Sequence, residues 1–245
     1  MRRWPLWGRG ARLGVGSASA ALRRALPLTP AIPARSKCWG YNYDGQLGRS
    51  DTDRYNSHPP ARGDDANEMG ANLPSVDLGS GWTAVDVAAG YYHTCVRLQN
   101  GADQALKCWG SNYDGQLGLG DTTNRGGGGG QMGDSLPAVQ LGTGRSAVAL
   151  ALGDYHSCAL LDDASVKCWG ANRYGQLGMG DTWAWAWGGE GGEMGDSLPA
   201  VDLGPGRAVV QLAAGDDHTC ALLEDGQLCV PPRPPSPWTD WFRLA

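Results

Sequence analysis

Apolar positions along this chain come in short bursts rather than long stretches. One series falls at Ala138 to Leu141, Val148 to Leu152, Ser157 to Leu161 and Ser165 to Trp169, with Gly, Asp, Asn and Ser between. Apolar runs of this length bounded by turn formers predict β-strands. No segment sustains the three-to-four-residue spacing of an amphipathic helix. No uncharged apolar run approaches the roughly 18 residues that a membrane span needs.

The bursts belong to a repeat. KCWGYNYDGQLGRS from Lys37 returns as KCWGSNYDGQLGLGD from Lys107 and as KCWGANRYGQLGMGD from Lys167. GYYHTC, GDYHSC and GDDHTC place His93, His156 and His218 at steps of 63 and 62 residues. LPSVDLGSG from Leu73, LPAVQLGTG from Leu136 and LPAVDLGPG from Leu198 precede them. Self-similarity at such a period means stacked copies of one supersecondary unit. Four short antiparallel strands per copy is the pattern of a propeller blade. The predicted fold is therefore all-β, a partial propeller of about three to four blades with disordered termini.

The array enters in mid-unit at Cys38, with no HTC strand before it, and ends in mid-unit after EDGQLC, where VPPRPPSPWTDWFRLA replaces KCWG. Proline has no N–H to donate to a ladder, so residues 231–245 read as a Pro-rich, unstructured tail. Two open sheet edges are expected, which proteins cover or pair. Self-association through those edges is one resolution, and continuation in a longer reading frame is the other. Residues 1–36 form an Arg/Ala/Pro-rich leader, read as a targeting segment of the organelle transit type or as disordered chain. Residues 37–230 hold the repeats.

Composition sharpens this picture. There are 39 glycines, 11 tryptophans and a single phenylalanine, as suits short strands joined by tight turns. The net charge of −5 hides an asymmetry. Residues 1–43 carry eight basic residues and no acid, so the remainder holds 12 basic against 25 acidic residues, a net of −13. So acidic a body is a poor match for a phosphate backbone, and no nucleic-acid partner is expected.

The cysteines are regularly placed. Cys95 and Cys108, Cys158 and Cys168, and Cys220 and Cys229 each flank a turn such as LLDDAS or LLEDGQ. That spacing sets the two cysteines of a pair across from one another on adjacent strands, where a non-hydrogen-bonded register brings them close enough to bridge. Three structural disulfides are predicted, with Cys38 left unpaired. The last pair is one residue out of register, because Cys229 lacks the lysine that precedes Cys108 and Cys168. Disulfides imply an oxidising compartment, which favours a secreted location over an organelle or the cytoplasm.

Other chemistries find no purchase. His93, His156 and His218 each lie two residues before a cysteine, but no CxxC pair of the zinc type occurs; once-per-unit histidine instead predicts a ring nitrogen bonded to nearby backbone. Gly126 to Gly130 lacks the GK[ST] of a phosphate loop. Asp121, Asp134, Asp181 and Asp196 read as turn formers rather than calcium ligands. No nucleophile–base grouping stands apart from the repeat, so no catalytic, cofactor or metal residue is assigned. Trp39, Trp109 and Trp169 are expected to pack between blades. Trp183, Trp185 and Trp187 alternate with alanine in one loop only, and are candidates for a partner-binding patch, a loop collapsed on its own blade being the other reading.

HTCxLL…VKCWGxNxxGQLGxGD resembles the repeat of the regulator of chromosome condensation (RCC1) family, and within it the cysteine-bearing branch known as alpha-tubulin-suppressor-like repeats. The resemblance spans about Lys37 to Val230 and implies a propeller of four-stranded blades. From it follow a non-catalytic interaction or scaffold module that binds a protein partner through its loops, and, as an alternative, a guanine-nucleotide exchange factor acting on a small GTPase. No residue here matches the exchange element of that family. A secreted carbohydrate-binding module is a further alternative, suggested by the tryptophan loop.

Overall fold

Four antiparallel sheets follow one another in chain order. The computed structural model of the chain describes residues 36–50, 61–180, 186–226 and 228–229. Strands β1 (Gly40–Tyr41) and β2 (Ala61–Arg62) pair first. The second sheet joins β3 (Thr83–Ala89), β4 (His93–Asn100) and β5 (Asp103–Gly110). The third joins β6 (Ala147–Leu152), β7 (His156–Leu161), β8 (Val166–Ala171) and β9 (Ala186–Trp187). The fourth joins β10 (Val209–Ala214), β11 (Thr219–Leu223) and β12 (Leu228–Cys229). Adjacent sheets pack through β3 against β6 and through β6 and β7 against β10, which makes them successive blades of a partial propeller.

Burial follows from that packing. Every residue of β7 and of β8 is buried, because a neighbouring blade covers each face. Their sequences, HSCALL and VKCWGA, accordingly carry no polar–apolar alternation. Three apolar clusters result. One gathers Leu117, Leu161 and Trp169 with Leu106 and Leu198; another gathers Leu98 and Trp109 with Leu136 and Met132; the third lies between the last two blades around Leu177, Leu212 and Leu223.

One predicted strand is not a strand. Ala138 to Leu141, together with its counterparts in the other copies, is extended chain outside the ladders. Val139 donates one backbone bond to Leu106 (2.8 Å), as Val201 does to Val166 (2.8 Å), while Leu136, Val139 and Leu141 are buried among the residues of two clusters. The segment is a wedge between blades. Alternating apolar residues signal burial, and burial alone does not distinguish a ladder from a wedge. The fourth strand comes instead from the variable loop: Ala186 and Trp187 pair with Ala171 and Gly170, and Arg125 bridges Gly110 in the preceding blade.

The lysine of each KCWG closes that loop. Lys107 Nζ donates to the carbonyls of Gly133 (2.7 Å) and Leu78 (3.1 Å); Lys167 reaches Gly195 (2.7 Å) and Lys37 reaches Gly70 (2.6 Å). Burial lowers the pKa of the Lys107 ammonium, an effect that Asp134 and Asp77 oppose. Asp134 in turn accepts from the N–H and hydroxyl of Ser80, and Asp196 from those of Thr143. These carboxyls are held below their ordinary range by those bonds, but their partners lie 54 and 53 residues away, so Asp134 and Asp196 tie distant segments together instead of folding their own turns as expected. No group of three ligands able to hold a metal occurs among the described residues.

Two disulfides are formed, Cys95–Cys108 and Cys158–Cys168. Each joins residues directly opposite in register, with Cα atoms 4.1 Å apart, a separation typical of non-hydrogen-bonded pairs. The third pairing differs from expectation. Cys229 stands opposite Ala221, one step from Cys220, and Cys220 is a free thiol. The turn before Cys229 is one residue shorter than the turn before Cys168, which shifts the backbone register by one step and leaves Cys220 without a cysteine directly opposite. Cys38 is also a free thiol, its pKa raised by burial. Alkylation of unreduced protein is therefore expected to spare Cys95, Cys108, Cys158 and Cys168 and to label Cys220. Label on any of those four overturns the pairing. Reducing either bridge is expected to cost about 3 kcal/mol in chemical denaturation, the usual value for loops of this length.

Candidate interaction face

The turns after KCWG are built from their own side chains. Asn42, Asn112 and Asn172 each accept the N–H of the leucine five residues on (2.9, 2.9 and 3.2 Å). Gln46, Gln116 and Gln176 each accept the N–H two residues back (3.0, 3.0 and 2.9 Å). Gly45 and Gly115 hold positive φ, and a Cβ on either would strike the backbone of the next loop, at Gly127 and Gly189. This accounts for N-x-x-G-Q-L-G.

The free carbonyl of each such glutamine anchors the next blade. Gln116 O accepts from Trp169 Nε1 (3.0 Å) and from Ser157 Oγ (2.8 Å). Gln46 O accepts from Trp109 Nε1 and Thr94 Oγ1, both at 2.9 Å. Ser157 Oγ also meets His93 Nε2 of the preceding blade at 2.8 Å, and Thr219 Oγ1, which donates to Gln176 O, meets His156 Nε2 at 2.9 Å. A hydroxyl has one proton, and a carbonyl can only accept. The imidazoles of His93 and His156 therefore each donate from Nε2, and burial favours their neutral form. Burial pushes the His93 pKa down to about 3, with His156 adding to the effect, and that of His156 to about 4, with His218 adding. His93 and His156 thus bond a hydroxyl on the next blade, and for His93 a backbone bond at Asp154, the kind of partner expected, opposes the lowering. Gly153 lets the ring lie flat: its φ is ordinary, but a Cβ there would collide with the His156 ring. His93 and His156 are locks between blades.

The same turns leave a set of side chains outside. The residues before the histidines are Tyr91 and Tyr92, then Asp154 and Tyr155, then Asp216 and Asp217. Their loops adjoin the post-KCWG turns, since Ser111 N–H donates to Tyr92 O and Ala171 N–H to Tyr155 O (both 2.9 Å). Tyr92 stacks on Tyr155 across the blade boundary, centroids 5.2 Å apart; Tyr91 leans on Tyr92 at 4.4 Å; Tyr41 and Tyr43 stack at 6.2 Å. The Tyr41 phenol is pushed up by burial and by Asp44, Tyr43, Tyr92 and Tyr91, which ties the first pair to the second. Tyr155 is pushed up to about 12 by burial, by its hydrogen bond with Tyr92 and by Asp154 and Asp114. Asp154 is raised by burial and by Asp216 and Asp217, and its N–H donates to Asp216 O (3.1 Å). One band thus crosses every blade boundary, aromatic at its start and acidic at its end. Tyr91 is 65% exposed, Tyr113 61% and Tyr174 71%.

Trp183 and Trp185 lie outside the described residues. Trp187, in β9, is half-buried and packs against two of the apolar clusters, so its ring is a packing element. Trp109 and Trp169 are fully buried as expected, whereas Trp39 is 62% exposed.

Models of the regulator of chromosome condensation (RCC1) repeat match residues 38–97 and 108–160, and residues 84–116, 147–176 and 209–228, together well over half of the chain. This chain belongs to the RCC1 repeat family. Human HERC4, a probable E3 ubiquitin-protein ligase, is 32% identical over 143 residues, covering 58% of this chain and 12% of HERC4. The ultraviolet-B receptor UVR8 of Arabidopsis thaliana is 28% identical over 242 residues, covering 91% of this chain and 46% of UVR8. The chain thus spans less than half the length of these relatives. Among solved structures, yeast RCC1 (Prp20) bound to Kap60 superimposes with a TM-score of 0.52 at 20% identity, over 80% of this chain and 39% of that one. Human WBSCR16 gives 0.53 at 19%, over 80% and 43%. These likenesses establish the RCC1-type propeller fold.

Proposed function

We propose that this RCC1-repeat chain is a protein-interaction module whose docking surface is the tyrosine–carboxylate band. The observation that carries the reading is the band's continuity across four successive repeat copies, by residues that the fold does not need. Exposed aromatic rings are the side chains most often found at the energetic centre of protein interfaces, and a contiguous exposed aromatic patch marks an interaction site. Binding rather than catalysis also suits His93 and His156, which are neutral and committed to hydroxyls of the next blade.

Selection from a random peptide display library tests this. Enriched peptides are expected to lose at least about tenfold in affinity when Tyr91 and Tyr113 are replaced by serine, since truncating two interface aromatics costs about 1.4 kcal/mol or more. Peptides that bind both variants unchanged would remove the band from the function. Release of labelled nucleotide from a small GTPase at catalytic concentrations of this protein would favour the exchange-factor reading instead.

A further inference from the structure

The band's two kinds of residue point to one kind of group. We infer that its occupant is an arginine-rich segment of a partner protein, and this rests on the docking reading above. A guanidinium stacks on an aromatic face and forms paired hydrogen bonds with a carboxylate, whereas an ammonium does only the second well. Here both needs are met along one surface, which passes from Tyr91 and Tyr92 through Asp154 and Tyr155 to Asp216 and Asp217.

Three further features agree. The carboxylates of Asp154 and Asp216 have no lysine or arginine of the described residues within ion-pair distance, so a cation at that end finds charge to neutralise. A groove of about 470 Å³ opens beside the band, lined by Asp44, Tyr113, Asn124 and Gln131 among others. It places an aromatic ring and a carboxylate on one cavity, as a guanidinium requires. The chain itself supplies an instance of the pairing, since Arg173 sits 3.4 Å from Asp114 on this face. The residues from 44 onward carry a net charge of −13, which steers a basic segment toward the surface and repels an acidic one.

Fluorescence anisotropy on the whole chain provides the test. The probes are three labelled twelve-residue peptides in which glycine alternates with arginine, lysine or glutamate. The arginine peptide is expected to bind about fivefold or more tightly than the lysine peptide, as two stacked guanidinium groups would give, and the glutamate peptide not at all. Asp216→Asn with Asp217→Asn should weaken both basic peptides and flatten their salt dependence. Tyr91→Ala with Tyr113→Ala should abolish the preference for arginine while leaving the salt dependence in place. These four residues are exposed, and an unchanged thermal transition verifies folding. Equal binding of the arginine and lysine peptides, or binding indifferent to both double variants, overturns the inference. The display selection separates the two readings. If it yields face-dependent peptides without arginine, the docking surface stands and the arginine assignment fails. If it yields none that depend on the face, both fail.

Discussion

Trp169→Ala is expected to lower the unfolding free energy by about 3–5 kcal/mol, the usual cost of emptying a buried tryptophan site. The ring is fully buried between two blades, in the cluster with Leu117, Leu161 and Leu198. Its Nε1 is one of two donors to the Gln116 carbonyl. Trp169→Phe separates the two contributions. It keeps most of the apolar ring and loses the hydrogen bond, so about 1–2 kcal/mol should go, with Ser157 still satisfying the carbonyl. Trp39→Ala serves as the internal comparison, because that ring is mostly exposed and should cost under about 1 kcal/mol. Urea denaturation of the three variants measures the series. Equal losses at Trp39 and Trp169 would mean that the tryptophan does not key one blade to the next.

Acid should undo the histidine locks. The two imidazoles have folded pKa values of about 3 and about 4, below the ordinary value of about 6.5 that the unfolded chain takes. Between those values the unfolded chain binds a proton that the folded chain refuses, so stability rises with pH there. The contribution is complete above about pH 6.5 and is lost as pH falls toward 4, at about 1.4 kcal/mol per unit for each histidine. Denaturation midpoints at pH 7.5, 5.5 and 4.5 report it. His156→Gln retains a donor but does not titrate in this range, so its stability should fall less steeply with acid, by about half of the two-histidine slope. An unchanged slope in that variant would show that the pH response belongs to carboxylates elsewhere in the chain. Gly153→Ala offers a steric counterpart, because a methyl group there would push the ring from its seat at every pH.

Much of this architecture is legible from residue order. Repetition of KCWG, GQLG and HTC gave the blade and its register, because each short motif has one local job: asparagine and glutamine folding the turn, lysine closing the loop, cysteine facing cysteine. The fourth strand is not legible in the sequence, because Ala138 to Leu141 and Ala186 to Trp187 are both short apolar runs and only packing decides which enters a ladder. The last cysteine pair turned on a single missing residue in a turn. The band was hidden for a different reason. Tyr91, Asp154 and Asp216 lie far apart in the chain, and nothing local says that their loops converge on one side.

By itself, then, the order of residues determined that this protein is a series of antiparallel modules with paired cysteines and buried tryptophans, since those features arise from contacts within one copy or its next neighbour. Tertiary structure alone decided which wedge fills the space between blades, that histidine donates to the hydroxyl of the following blade, and that tyrosines and carboxylates from separate copies form one continuous surface. Those outcomes depend on how modules face each other in space, a relation that spacing along a chain does not encode.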